Sequence, residues 1–208
     1  TCISVNDEIA HAIPRKDKIL KEGDLVSVDV TCNVDGYETD SCTTYGVGKI
    51  SAEDQKLMDV TKKAMYMGID QAVVGNRIGD IGSVIQNYVE NENGYGDVRE
   101  LVGHGIQPSI HEDPEVPHWG KAGHGLRLRE GITITVEPMV EAGGDWRIEQ
   151  KTVSDPNDDW VYYATPDGSK SAQFEHTFAI TPDGPKILTL QKPYDGYEKY
   201  LPHFLDED

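Results

Sequence analysis

From Asp24 to Val34 apolar and polar residues alternate (DLVSVDVTCNV), the period of a strand with one buried face, and a second β-rich run, YETDSCTTYGV, occupies 37–47. Asp35-Gly36 between them predicts a two-residue hairpin turn, since both central positions of such a turn need a positive φ. From Ser51 the period becomes helical: Ser51 is a capping residue, and Leu57, Thr61, Ala64 and Gly68 recur on one side until the break at Gly75-Asn76. A second helix is predicted over about 79–92, with Ile81, Val84, Ile85, Tyr88 and Val89 on one side and Asn93-Gly94 ending it. GITITVEPMV at 131–140 and SAQFEHTFAI at 171–180 alternate and read as strands, and TCISVN at the start reads as a half-buried strand. By contrast, 98–125 carries four His and three Pro, too many breakers for a helix, and reads as a polar loop of the kind that carries function. Residues 143–168 read as a hairpin with an acidic excursion at 154–159, and 191–208 as a surface tail.

Charge narrows the function classes. The 208 residues include 19 basic and 37 acidic ones, a formal net charge of -18, which disfavours nucleic-acid binding by phosphate neutralisation and favours metals, cationic ligands and free amines. No run of 18 apolar residues is present, nor a basic flank followed by an apolar stretch, so a soluble, cytoplasmic protein without membrane span or signal peptide is expected. Cys2, Cys32 and Cys42 contain no C-x-x-C pair and are expected to be reduced thiols.

A two-residue turn at 35–36 places Thr31 opposite Asp40 and Asn33 opposite Glu38. Asp29 shares a face with Thr31, so Asp29 and Asp40 are diagonal neighbours with Cβ atoms on the order of 7–8 Å apart, a spacing that repels unless a cation intervenes. Glu137, with Thr133 and Thr135, lies opposite the apolar face of its strand, and Pro138 interrupts the ladder just beyond it. Glu175 and Thr177 share a face opposite Phe174, His176 and Phe178. Each of these acids could singly be a solvent-facing strand residue in an acidic protein; embedded together in apolar strands they call for partners. Their combined charge is that of two divalent cations, and a histidine from the 98–125 loop would complete a coordination sphere. Gly103-His104-Gly105 allows close backbone approach, and His111 follows seven residues on. Neither H-E-x-x-H nor a Cys-containing zinc spacing occurs. Oxygen ligands with one imidazole favour Mn, Fe or Co, and a dinuclear site with metals about 3.5–4 Å apart activates a bridging water for hydrolysis. His118, His124, His176 and His203 are expected at the surface.

Five segments in order, CISVNDEIAHAIP, GDLVSVDVTCNVDGYETDS, GHGI with His seven residues on, ITITVEPMV and SAQFEHT, together resemble the type I methionine aminopeptidases, over Thr1 to about Leu190. The resemblance implies an α+β pita-bread fold, a curved antiparallel sheet with helices on its outer face, forming a single metallopeptidase domain over 1–208. It implies two divalent ions (Co, Mn or Fe, with Zn or Ni as further candidates). Asp29 would chelate one, Asp40 and Glu175 would bridge both, and His104 and Glu137 would bind the other. Glu137 would also handle the proton of the attacking water. His111 would hydrogen-bond the scissile amide and its developing oxyanion, and His11 would contact the first peptide unit or assist proton transfer. The substrate's free α-amino group would bind a metal, which restricts action to N-termini. Cys2, Ile110 and Trp160 match positions of the methionine pocket; Ile110 replaces a frequent aromatic, and Trp146 competes with Trp160 for its assignment. The implied partners are nascent polypeptide N-termini, met at the ribosome, with no nucleic acid and no membrane, and the implied state is a monomer. The family carries several dozen residues ahead of the segment that begins here at Thr1, so the chain is expected to start inside the fold. Xaa-Pro-cleaving relatives share the ligands but carry a large N-terminal domain, and metal-free pita-bread binding modules lose ligands that this sequence retains.

Overall fold

A computed structural model describes residues 1–153, 159–192 and 196–201, the side chain of Glu198 excepted. The chain opens with β1 (Cys2–Val5) and β2 (Glu8–Ala10), which reverse direction at Asn6, an asparagine in the left-handed region (φ 57°). The long hairpin follows as β3 (Leu25–Val34) and β4 (Tyr37–Gly46). Asp35 (φ 52°) and Gly36 (φ 89°) both adopt positive φ, so the turn has two residues and the register is fixed: Thr31 faces Asp40, and Asp29 faces Cys42. β1 pairs with β3 on the other side, with Cys2 opposite Asp29.

Helix α1 (Ala52–Gln71) is capped by Ser51, whose Oγ accepts the N–H of Asp54 at 3.0 Å. Helix α2 (Ile78–Gln86) runs into a π-helical turn over Asn87–Glu92, so the single helix expected over 79–92 changes its hydrogen-bond pattern halfway. Leu57, Ala64, Met65 and Ile69 of α1 and Ile81 and Ile85 of α2 form the core with Ile134, Val136 and Phe178. The helices touch at Gly68, where a Cβ would lie 2.5 Å from Cδ1 of Ile85.

The remaining strands are β5 (Gly96–Asp97), β6 (Gly103–Gly105), β7 (Glu112–Val116), β8 (Thr133–Val136), β9 (Met139–Glu141), β10 (Glu149–Thr152), β11 (Val161–Ala164), β12 (Ser171–Gln173), β13 (His176–Thr181) and β14 (Gly184–Ile187). They form sheets in the orders β1-β3-β4, β10-β11-β2, β12-β9-β5 and β14-β13-β8-β6-β7, with every ladder antiparallel. The loop expected over 98–125 thus contains two short strands, hidden from sequence periodicity by their glycines and proline. The hairpin expected in 143–168 is β10–β11; most of the acidic excursion lies outside the described residues. The tail is not wholly at the surface, because Tyr197 stacks on Tyr66 at 3.9 Å between centroids and Tyr200 is buried with its hydroxyl 2.6 Å from Asp70.

One seam joins the first hairpin to the later strands. Cys42 and Glu175 exchange backbone hydrogen bonds (3.4 and 2.9 Å). On either side a threonine hydroxyl substitutes for a ladder partner. Thr177 Oγ1 accepts the N–H of Asp40 and donates to its carbonyl (3.0 and 2.8 Å), and Thr44 Oγ1 does the same for Gln173 (2.9 and 2.8 Å). Among the described residues no helix is long and apolar enough to cross a membrane.

Candidate metal centre

Two strands break at a glutamate. β8 ends at Val136, so Glu137-Pro138 leaves the ladder before β9 begins; Phe174-Glu175 likewise separates β12 from β13. His176 pairs with Val136 and Thr177 with Thr135, and the same register carried one step further sets Glu175 opposite Glu137. The seam then brings Asp40 alongside. His104 enters from β6 between two glycines that the packing requires: a Cβ on Gly103 would lie 2.7 Å from the carbonyl oxygen of Thr135, and one on Gly105 would lie 2.3 Å from that of Asp113.

The ligating atoms of Asp40, His104 and Glu175 all lie within 4.8 Å of one another, and His104 Nε2 is 3.4 Å from Glu137 Oε1. His104 Nδ1 sits 3.0 Å from the carbonyl oxygen of Gly105. A carbonyl only accepts, so Nδ1 carries the proton and Nε2 turns a lone pair towards the acids. Burial holds the imidazole pKa below its ordinary value, with neighbouring His111 pushing the same way, so the ring is neutral and suited to ligation. Glu137 is held on both oxygens: Thr135 Oγ1 donates to Oε1 at 2.9 Å, and Gln173 Nε2 to Oε2 at 3.4 Å. Thr135 Oγ1 also accepts the backbone N–H of His104, which locks the two candidate ligands together.

Electrostatically the cluster concentrates negative charge in a buried place. Burial, reinforced by the charge of Asp40, raises Asp29 to about 7. Burial raises Glu137 and Glu175 well above the usual carboxylate range, and for Glu175 the next contribution is Glu137 itself. Asp29 Oδ1 and Glu175 Oε1 are buried with no hydrogen-bond partner among the described residues. Divalent cations would offset this charge while satisfying the orphaned oxygens and the facing lone pairs of His104 and Glu137. The donor set fits such ions.

Asp29, Asp40, His104, Glu137 and Glu175 all line one cavity of about 630 Å³, together with His11 and His111. The His111 ring packs edge-on against His104, with centroids 4.5 Å apart. His11 has φ 62°, and its ring meets the edge of Tyr163 at 5.6 Å. Although the residue retains solvent access, partial burial of its ring lowers its pKa, and nearby His111 lowers it further. Cys2, Ile110 and Trp160 do not line this cavity. Cys2 is half-buried across the ladder from Asp29, Ile110 is half-buried beside His111, and exposed Trp160 donates its indole N–H to the carbonyl oxygen of His11 at 2.6 Å. Trp146 lies elsewhere, stacked 4.9 Å from the guanidinium of Arg99.

Two of the histidines expected at the surface are not there. His118 is fully buried and its Nε2 accepts the backbone N–H of Glu137 at 3.1 Å. His176 is half-buried, with Tyr66 Oη 3.1 Å from Nε2 and Thr189 Oγ1 2.9 Å from Nδ1. His203 lies outside the described residues. Sequence reasoning also missed Thr135 and Gln173 as supports of Glu137. The alternation that put Thr135 on the face of Glu137 was the available signal for the first.

The family model "Metallopeptidase family M24" matches residues 1–182. The methionine aminopeptidase of Clostridium acetobutylicum is 46% identical over 189 residues, which are 91% of this chain and 72% of that protein. The crystal structure of the Rickettsia prowazekii methionine aminopeptidase superposes with a TM-score of 0.82 at 42% identity, covering 91% of this chain and 73% of that one. A prolidase from Pyrococcus furiosus, at 21% identity and a TM-score of 0.69 over 92% of this chain and 49% of its own, shares the fold alone. The antiparallel sheets with few helices are those of the pita-bread fold, and the chain belongs to metallopeptidase family M24.

Proposed function

We propose that this chain is a metal-dependent aminopeptidase that removes the N-terminal methionine from polypeptides, acting as one catalytic domain over 1–208. The observation that carries the reading is the convergence of four acidic side chains and one neutral imidazole on a single cavity, in a chain 46% identical to a methionine aminopeptidase. Asp29, Asp40 and Glu175 would hold one divalent ion, and Asp40, Glu175, His104 and Glu137 a second. Mn, Fe and Co suit this oxygen-rich set, and Zn and Ni remain within its chemistry. Bound ions of this kind polarise a carbonyl and acidify water.

The chain's own groups supply the remainder. Glu137, raised in basicity by burial and oriented by Thr135 and Gln173, takes the proton of the attacking water and returns it to the leaving amine. His111 donates a ring N–H to the amide oxygen as negative charge develops there. His11 contacts the first peptide unit, its ring set by Tyr163 and its backbone by the indole of Trp160. Cys2, Ile110 and Trp160, which stand beside the cavity and not in its lining, would border the side-chain slot around the first residue through their neighbours Asp29, His111 and His11. Nascent chains in the cytoplasm, met at the ribosome by a monomer, are the proposed substrates.

The test is release of free Met from Met-Ala-Ser by metal-stripped protein after addition of Mn, Co or Fe(II). Restored cleavage of Met-Ala-Ser, with Met-Pro and N-acetylated peptides left intact, supports the reading. Folded protein that cleaves nothing with any of these metals contradicts it.

A further inference from the structure

A second cavity, of about 260 Å³, lies behind the segment that carries Glu175. Side chains alternate along that segment, so Glu175 lines the metal cavity while Phe174 and His176, on either side of it, line the second one. Helix α1 contributes Lys62 and Met65, and the segment after β14 contributes Leu190 and Lys192. Met65 and Phe174 are buried and Leu190 is half-buried, which makes one side of the cavity apolar.

Among the described residues no Asp or Glu lines this cavity, in a chain with 37 acidic side chains against 19 basic ones. Lys62 is half-buried and, among the described residues, makes neither an ion pair nor a hydrogen bond; its ammonium lies 5.4 Å from the ring centroid of Tyr197. Lys170 and Lys199, by contrast, pair with Asp54 and Asp70 of the same helix at 2.8 and 3.1 Å. Packing alone can hold the aliphatic stem of a lysine, but it does not account for an ammonium kept from carboxylates beside an apolar cavity. The charge of Lys62 also reaches His176, where it adds to the burial that holds the imidazole pKa down to about 4. That ring is neutral, and both its nitrogens are engaged by the hydroxyls of Tyr66 and Thr189. Apolar walls with a few placed polar groups are the makings of a small-molecule site. We infer that this cavity binds a small organic anion, with its carboxylate or phosphate group on Lys62 and Lys192 and its apolar body against Met65, Phe174 and Leu190. A charge-assisted hydrogen bond to the half-buried ammonium selects the anion, and burial of the apolar body adds affinity.

The test is calorimetric titration of the full chain, metal-free and Mn-loaded, with phenyl phosphate and phenylacetate, and with inorganic phosphate and benzyl alcohol as the charge and the ring alone. At least one ring anion should bind the metal-free protein at a single site, and the tighter of the two identifies the charged group. Inorganic phosphate and benzyl alcohol should each bind at least about tenfold more weakly. Lys62→Gln should weaken the ring anion about tenfold, as expected for the loss of one charge-assisted hydrogen bond. Lys63→Gln makes the same charge change at an exposed position outside the cavity and should leave the affinity in place. Absence of binding by both ring anions, binding that appears only with Mn, benzyl alcohol binding as tightly as the ring anions, or equal weakening by both variants would overturn the assignment.

Discussion

The backbone N–H of Glu137 donates to Nε2 of His118, a histidine with no exposed surface. An accepting Nε2 fixes the proton on Nδ1, and burial holds the pKa at about 3, so the ring remains a neutral acceptor through the neutral range. It satisfies the backbone donor at the point where β8 gives out, and thereby aims the carboxylate of Glu137.

His118→Ala therefore leaves both a cavity and an unpaired buried N–H. Unfolding by urea should show a loss of about 2–4 kcal/mol. Calorimetric titration with Mn(II) should show affinity reduced at least about tenfold, because a support of a candidate ligand has been removed. Unchanged metal affinity in the folded variant would reduce His118 to a packing residue.

Thr177 bonds both backbone groups of Asp40 across the seam, 137 positions away in sequence. Thr177→Val keeps shape and burial but replaces the hydroxyl with a methyl, leaving those groups unpaired. A cost of about 1–3 kcal/mol is expected by denaturant titration. Metal binding should weaken as well, since Asp40 is placed by these contacts. Stability and affinity within error of the unmodified chain would show that the seam does not position Asp40.

The hairpin was legible because its determinants are local. Asp35-Gly36 sets the register, and the register puts Asp29 and Asp40 on one face. Glu137 was legible because Pro138 marks the break beside it. His118 was not: it sits among breakers that suggest an open loop, yet α2 packs directly on that segment. A Cβ on Gly82 would lie 2.4 Å from the carbonyl oxygen of Trp119 and 2.6 Å from that of Pro117. The seam was equally hidden, since no local period reveals that Thr44 and Thr177 serve as ladder partners for distant strands. Tyr197 and Tyr200 read as surface residues because only the tertiary contact with α1 buries them.

Away from the metal centre, Glu141 at the end of β9 is fully buried, and neither carboxylate oxygen has a partner among the described residues. Burial raises its pKa to about 8, and Asp167, Asp145 and Glu100 add to the rise. The group is protonated in both states below its ordinary value of 4.5, and from there to about 8 only the folded chain holds the proton. Stability from this group is thus present at low pH and lost as the pH rises through 8. Glu141→Gln should raise Tm by about 3–6 °C at pH 8.5 and by little at pH 5, read by circular dichroism on metal-free protein. A Tm difference that does not change with pH would contradict a buried, protonated Glu141.

The most direct test of the site as a whole is an anomalous difference map from crystals of the protein grown with Mn(II). Two peaks about 3.5–4 Å apart are expected, both touching Asp40 and Glu175, one also touching Asp29 and the other His104 and Glu137. No peak in the cavity, or peaks that leave Asp29 and His104 without a metal contact, would contradict the account.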